Sequence, residues 1–230
     1  MTAGMRTNAL CCLTLGLALL GLAGCAAATG DGAMLSAKSA VDQGEPAGPE
    51  RRLLAAGDVV TRPLDFERGE SHYVGGIARG IVAATPERVL AAIHDVQALK
   101  SMLPHTKRVA LVEAKGPSRR IELLQGSSLV EAKYTVELSP DGRPGELGFR
   151  LDHSRPHDID DVYGYFKVER FDDEHSVVTV AAAVDVGSSF TEFLFGKKVQ
   201  DVILATPHAM RDYFARSEPK PASPLVAANR

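Results

Sequence analysis

The chain contains no tryptophan, and its three cysteines, Cys11, Cys12 and Cys25, all fall within the first 25 of its 230 residues. The remainder has no thiol. That excludes zinc–thiolate centres, redox dithiols and cysteine nucleophiles from it. Disulfide staples are absent too, although a domain of about 160 residues can bury enough apolar surface without them. Basic residues are not in excess: 26 Lys and Arg stand against 29 Asp and Glu, a formal charge of −3. A weakly acidic balance argues against nucleic acid as a partner, because phosphate binding needs a basic patch. The spacings H-E-x-x-H and G-x-S-x-G and a phosphate-binding loop are missing, and no repeat recurs at solenoid periods.

What is present begins with a leader. Met1 to Arg6 carries one Arg and no acid, and residues 9–22 are apolar or small. A charged start before a short apolar run reads as a secretory signal, and the run is shorter than the roughly 20 residues a spanning helix needs. Leu22-Ala23-Gly24-Cys25 then resembles the bacterial lipobox. The two small residues suit a peptidase cleft, and the Cys25 thiol is the group that accepts a diacylglyceryl thioether. The expected organisation is a signal peptide over 1–24, a lipidated N-terminus and flexible linker over 25–52, one domain over 53–216, and a loose tail over 217–230. Pro46 and Pro49 in the linker and Pro219, Pro221 and Pro224 in the tail support those two assignments. One acyl chain binds a membrane only marginally, whereas two or three on one cysteine hold it there. Ala26 after the cysteine implies outer-membrane sorting in a double-membraned bacterium. The expected location is therefore the cell envelope, lipid-anchored and facing the periplasm, with membrane contact through the anchor.

Within the domain, residues 73–84 read as a strand. Thr85-Pro86-Glu87 opens a helix, with Thr as cap and Pro in the first turn. Val89, Leu90, Ile93 and Val96 keep helical spacing, extended by Leu99, Met102 and Leu103 as far as Pro104. Strands follow over 107–114, 119–127, 129–138, 146–153, 162–171 and 176–186, joined mostly by short turns. The cleanest alternation sets Ala132, Tyr134, Val136 and Leu138 opposite Lys133, Thr135 and Glu137. Alternating strands joined by tight turns form an antiparallel sheet with one core face. Last comes a long amphipathic helix over 190–215, whose stripe of Phe193, Leu194, Val199, Val202, Ile203, Met210, Tyr213 and Phe214 must lie on something apolar. Pro207 inside it should bend it.

In this order the elements make an α+β protein, with a curved antiparallel sheet wrapped around a long C-terminal helix and two short helices after the first strand. The chain resembles the START-like superfamily, also called SRPBCC or helix-grip proteins, which includes polyketide cyclase/dehydrase-like members. The resemblance rests on Ile81-Val-Ala-Ala-Thr-Pro-Glu-Arg-Val-Leu90, the run Asp95 to Pro104, Gly164-Tyr-Phe166 and the closing helix, and covers about 73–216. The tryptophan common near the second helix is missing. The resemblance implies a cavity between sheet and closing helix that takes a hydrophobic or amphipathic small molecule.

Such a cavity should draw on Tyr134, Val136, Phe149, Leu151, His153, Phe166, Val168, Val180, Val184, Val202, Thr206 and Met210, with Tyr134, His153 and Thr206 as polar fixtures. Each of these equally suits a filled core. His153, His157, Asp158, Asp160 and Asp161 form the densest cluster of ligand-type side chains. It follows a strand and contains Pro156, so a solvated loop with turn-capping Asp residues accounts for it better than a metal or acid–base site. No cofactor, metal or catalytic residue is assigned. The leading function is a membrane-tethered module that binds or transfers a lipid-like molecule, with access gated at Pro207 or by the loop 154–161. A cyclase- or dehydrase-type enzyme would instead use His153, Tyr134 and Asp185. A non-catalytic envelope scaffold would have a solid core.

Overall fold

A computed structural model describes residues 48–127, 131–185 and 190–217, the last by backbone alone over 190–195. The leader, Cys25, most of the linker and the tail after Ser217 lie outside the described residues. The elements are α1 (Gly48–Ala55), β1 (Val60–Arg68), β2 (Ser71–Val82), α2 (Pro86–His94), α3 (Val96–Met102), β3 (Thr106–Lys115), β4 (Ser118–Gly126), β5 (Glu131–Pro140), β6 (Glu146–Leu151), β7 (Asp161–Arg170), β8 (Ser176–Asp185) and α4 (Phe190–Ser217). All eight strands form one antiparallel sheet in the order β1-β2-β8-β7-β6-β5-β4-β3. Consecutive strands pair as hairpins or meanders except at β2, where α2 and α3 carry the chain to the far edge and β8 returns beside β2.

Because strand side chains alternate, the register assigns the faces. Gly76, Ala78 and Gly80 of β2 share a face with Ala182, Val180 and Val178 of β8 and with Gly164, Phe166 and Val168 of β7. Helix α4 lies on this inner face. It approaches so closely that a Cβ at Gly76 would sit 2.4 Å from Leu204 Cδ2, and one at Gly80 would sit 2.9 Å from Pro207 Cβ. The glycines that weaken β2 as a strand are thus what lets the helix seat. Arg211 fastens the contact, donating from Nε to Ile81 O (3.1 Å) and from Nη1 to Gly57 O (2.6 Å). The opposite face has its own apolar layer, in which Phe66 stacks on Tyr73 at 5.3 Å and Tyr163 meets Tyr73 edge-on at 5.4 Å between ring centroids.

The structure differs from the sequence reading in two places. The stretch read as linker ends earlier, since residues 48–52 belong to α1. Leu54 there is fully buried, and Glu50 pairs with Arg79 at 2.9 Å. Strand β1 was not expected: Pro63 and four charged residues mask the alternation of Val60, Leu64 and Phe66, and Pro is admissible because β1 is an edge strand. The two short helices expected before Pro104 are α2 and α3. Asp95 leaves helical geometry (φ −89°, ψ 119°) and caps α3 by accepting from the backbone N–H groups of Gln97 and Ala98. Helix α4 runs from Phe190 to Ser217 with Pro207 inside it.

Candidate functional site

The inner layer is solid at one end and hollow at the other. At the solid end, Val168 and Val178 sit opposite each other on β7 and β8. Val82, Val89, Ile93, Met102, Met210 and Phe214 complete a packed cluster with them. Towards the other end, α4 and the sheet diverge around a cavity of about 930 Å³. Ligand pockets commonly occupy roughly 300–1,000 Å³. The hollow opens to solvent at its mouth, so a guest can enter it from outside.

The wall is built in strips. Strand β4 supplies Ile121, Leu123 and Gln125, and β5 supplies Leu138, Val136, Tyr134 and Ala132 alongside them. Strand β6 supplies Phe149, whose ring tilts against Phe166 of β7 at 5.4 Å. Val180, Ala182 and Val184 come from β8, and Val199, Val202, Ile203 and Thr206 from α4. Leu99 and Leu103, at the end of α3, cover one flank, and Ile159 lies in the loop before β7.

Polarity rises along this wall. The deep end, marked by Ile121, Val136, Leu138, Phe166 and Val180, is apolar. Thr206 is buried there, but its hydroxyl donates back to Val202 O (3.2 Å), which leaves little for a ligand. Further out, the Tyr134 hydroxyl donates to Gln125 Oε1, and Gln125 Nε2 donates to Thr106 Oγ1 (2.8 Å). Burial pushes the Tyr134 phenol well above its ordinary pKa, so it stays a neutral donor. Beyond this chain the mouth is rimmed by His105, Glu131, Asp158, Asp160, Lys198 and Asp201. His105 holds a φ of +55°, a backbone conformation uncommon for any residue but glycine. Its carbonyl accepts from Gly126 N–H at 3.0 Å, which ties the α3–β3 turn to the end of β4.

Eight of the twelve expected residues are brought together on this wall: Tyr134, Val136, Phe149, Phe166, Val180, Val184, Val202 and Thr206. The other four are not. Val168 and Met210 face the same side but are packed into the core at the solid end, and Leu151, beside Val136 of β5, is buried next to the hollow without lining it. His153 lies past the end of β6 with 62 % of its side chain exposed, 3.5 Å from Asp161. The cyclase-type trio is thereby split: Tyr134 lines the cavity, Asp185 borders it but turns its carboxylate to the His72 backbone N–H on the other face, and His153 is not on the wall. Leu99, Leu103, His105, Leu123, Gln125, Ile159 and Ala182 went unforeseen. Alternation in β4 marks Ile121, Leu123 and Gln125, but nothing local tells that the α3–β3 turn and the loop before β7 close over the same hollow.

The His/Asp cluster resolves into turn chemistry. Asp152 accepts from the Ser154 backbone N–H and hydroxyl. The His157 ring meets Ile159 O at 2.7 Å, and Asp158 is tied to β5 twice, accepting from Lys133 N–H and donating its own N–H to Lys133 O. Among the described residues no three His, Cys, Asp or Glu side chains gather to hold a metal ion, and no helix is long and apolar enough to cross a membrane.

No protein-family model matches the chain, and no curated protein sequence does. Solved structures do. TTHA0849 from Thermus thermophilus superposes with a TM-score of 0.53 at 18 % identity, over 62 % of this chain and 98 % of its own. The STAR-related lipid transfer protein from Xanthomonas axonopodis superposes with a TM-score of 0.56 at 14 % identity, over 68 % of this chain and 93 % of its own. At these identities the likeness is one of fold. The eight-stranded antiparallel sheet gripping a long C-terminal helix is the START-like, helix-grip fold.

Proposed function

We propose that this protein binds, and delivers or receives, a lipid-like hydrophobic molecule in the cavity beneath α4, while an acylated Cys25 holds it to a membrane. The observation that carries the reading is the cavity of about 930 Å³ with its apolar wall. Burial of apolar ligand surface there yields about 25 cal/mol per Å² removed from water. A guest burying a few hundred Å² thus gains several kcal/mol before the cost of ordering it is met. The neighbour from Xanthomonas is called a lipid transfer protein, which is in keeping with this use of the same fold. The anchor follows from Leu22-Ala23-Gly24-Cys25 alone. The linker after it supplies reach, on the order of 5–6 Å times the square root of its residue number.

The test is native mass spectrometry of the intact protein purified from its own membranes, beside an Ala182→Phe variant. Ala182 lies on the wall between Gly76 and Gly164, so a phenyl group there enters the hollow. Co-purified lipid on the unaltered protein and none on the variant is the expected result. A protein that emerges bare, with Ala182→Phe changing nothing, removes the carrier reading. Cys25→Ser should move the protein from the membrane to the soluble fraction; retention on the membrane would remove the anchor.

A further inference from the structure

We infer that the cavity selects by charge: it takes an amphiphile whose polar end is neutral or cationic and disfavours anionic ones such as fatty-acid carboxylates. The inference rests on the cavity being a ligand site.

Two observations carry it. First, the wall is graded along one axis, from the deep end to the Tyr134–Gln125–Thr106 chain and then the charged mouth. An amphiphile therefore has one favourable orientation, tail inward and polar end at the mouth. The Tyr134 oxygen keeps lone pairs and the Gln125 amide a second N–H, which suit a hydroxyl, ester or amide at the junction of tail and head.

Second, carboxylates outnumber ammonium groups at that mouth. Glu131, Asp158, Asp160 and Asp201 line it, against Lys198; the Asp185 carboxylate is turned to the other face, where it accepts from the His72 backbone N–H. Glu131 is paired with Lys107, and Asp158 is engaged with the Lys133 backbone N–H. Among the described residues neither Asp160 nor Asp201 has an ion-pair partner. Exposed Lys197 adjoins Lys198 on α4 and reduces the negative balance without reversing it. The N-terminus of α4 does not offset it either. Its dipole acts within the first turn, and the helix begins at Phe190, eight residues before Lys198. An anionic head seated there faces Asp158, Asp160 and Asp201 against Lys197 and Lys198, a surrounding that stays negative on balance. Each such pair is weak across water, but together they separate anionic from neutral heads by roughly tenfold in Kd at low salt.

Isothermal titration of the intact protein, stripped of lipid, with three probes sharing one tail tests this: dodecanoate, glycerol monododecanoate and dodecyltrimethylammonium, each below its micelle concentration. Dodecanoate should bind about tenfold more weakly than the other two. The gap should narrow in 0.5 M salt and in the isosteric double variant Asp160→Asn/Asp201→Asn. Dodecanoate binding as tightly as the neutral probe overturns the charge selection, as does a gap that neither salt nor the double variant moves. Absence of binding by all three, or binding that Ala182→Phe leaves intact, overturns the cavity reading beneath it instead.

Discussion

At Gly80 the first carbon of any side chain would meet the Pro207 ring at 2.9 Å, and a proline ring cannot rotate away. Gly80→Val should therefore push α4 off β2 and cost about 1–3 kcal/mol, as overpacking of a tight interior does. Urea unfolding would show it as a lower midpoint. Leu54 is the counterpart on the other face. It is fully buried, although it follows directly on a stretch whose composition reads as linker. Leu54→Ala should cost about 2–5 kcal/mol; a loss below about 0.5 kcal/mol would mean that α1 is not part of the cooperative unit. The inward residues of β5 were legible from alternation alone, because every second side chain of a strand shares a face. Leu151, Val168 and Met210 show the limit of that reasoning. Alternation says which face a residue takes, not whether that stretch of face is packed or hollow.

Between β6 and β7, the loop 152–160 borders the cavity mouth and is held by hydrogen bonds rather than by an apolar core. Asp152 anchors its start. The Ser154 hydroxyl and N–H, together with Arg120 and Arg155, hold the Asp152 carboxyl below its ordinary pKa. A carboxylate depressed in the folded state adds stability that is fully present above the ordinary value near 4. That contribution disappears as pH falls through the folded value. The loop should thus keep its protection at pH 6 and lose it below about pH 4, while β7 and β8 stay protected. Hydrogen exchange at the two pH values measures this, and Asp152→Asn should show the low-pH pattern already at pH 6. The boundary between the two expected short helices, α2 and α3, belongs to this scale as well. Apolar spacing continues through Asp95, and only the side-chain cap reveals the break.

For the whole molecule, the hollow means that stability and occupancy are linked. A guest that binds only the folded state at 100 times its Kd adds about 2.7 kcal/mol. In a domain of 150–250 residues that is a rise of roughly 5–10 °C in Tm. Calorimetry before and after delipidation should show the difference in the unaltered protein and not in Ala182→Phe. The fold class was legible in the chain before any coordinates, because apolar periodicity and turn residues are local quantities. The order of strand, helices, antiparallel strands and long helix admits few packings that bury every apolar face. The proposed leader and lipobox rest on sequence alone. Only the tertiary structure decided where the space lies. A cavity is what remains after α2, α3 and the two halves of α4 have each come to rest against the sheet. Its volume depends on distances between elements far apart in the chain, and no local pattern encodes them.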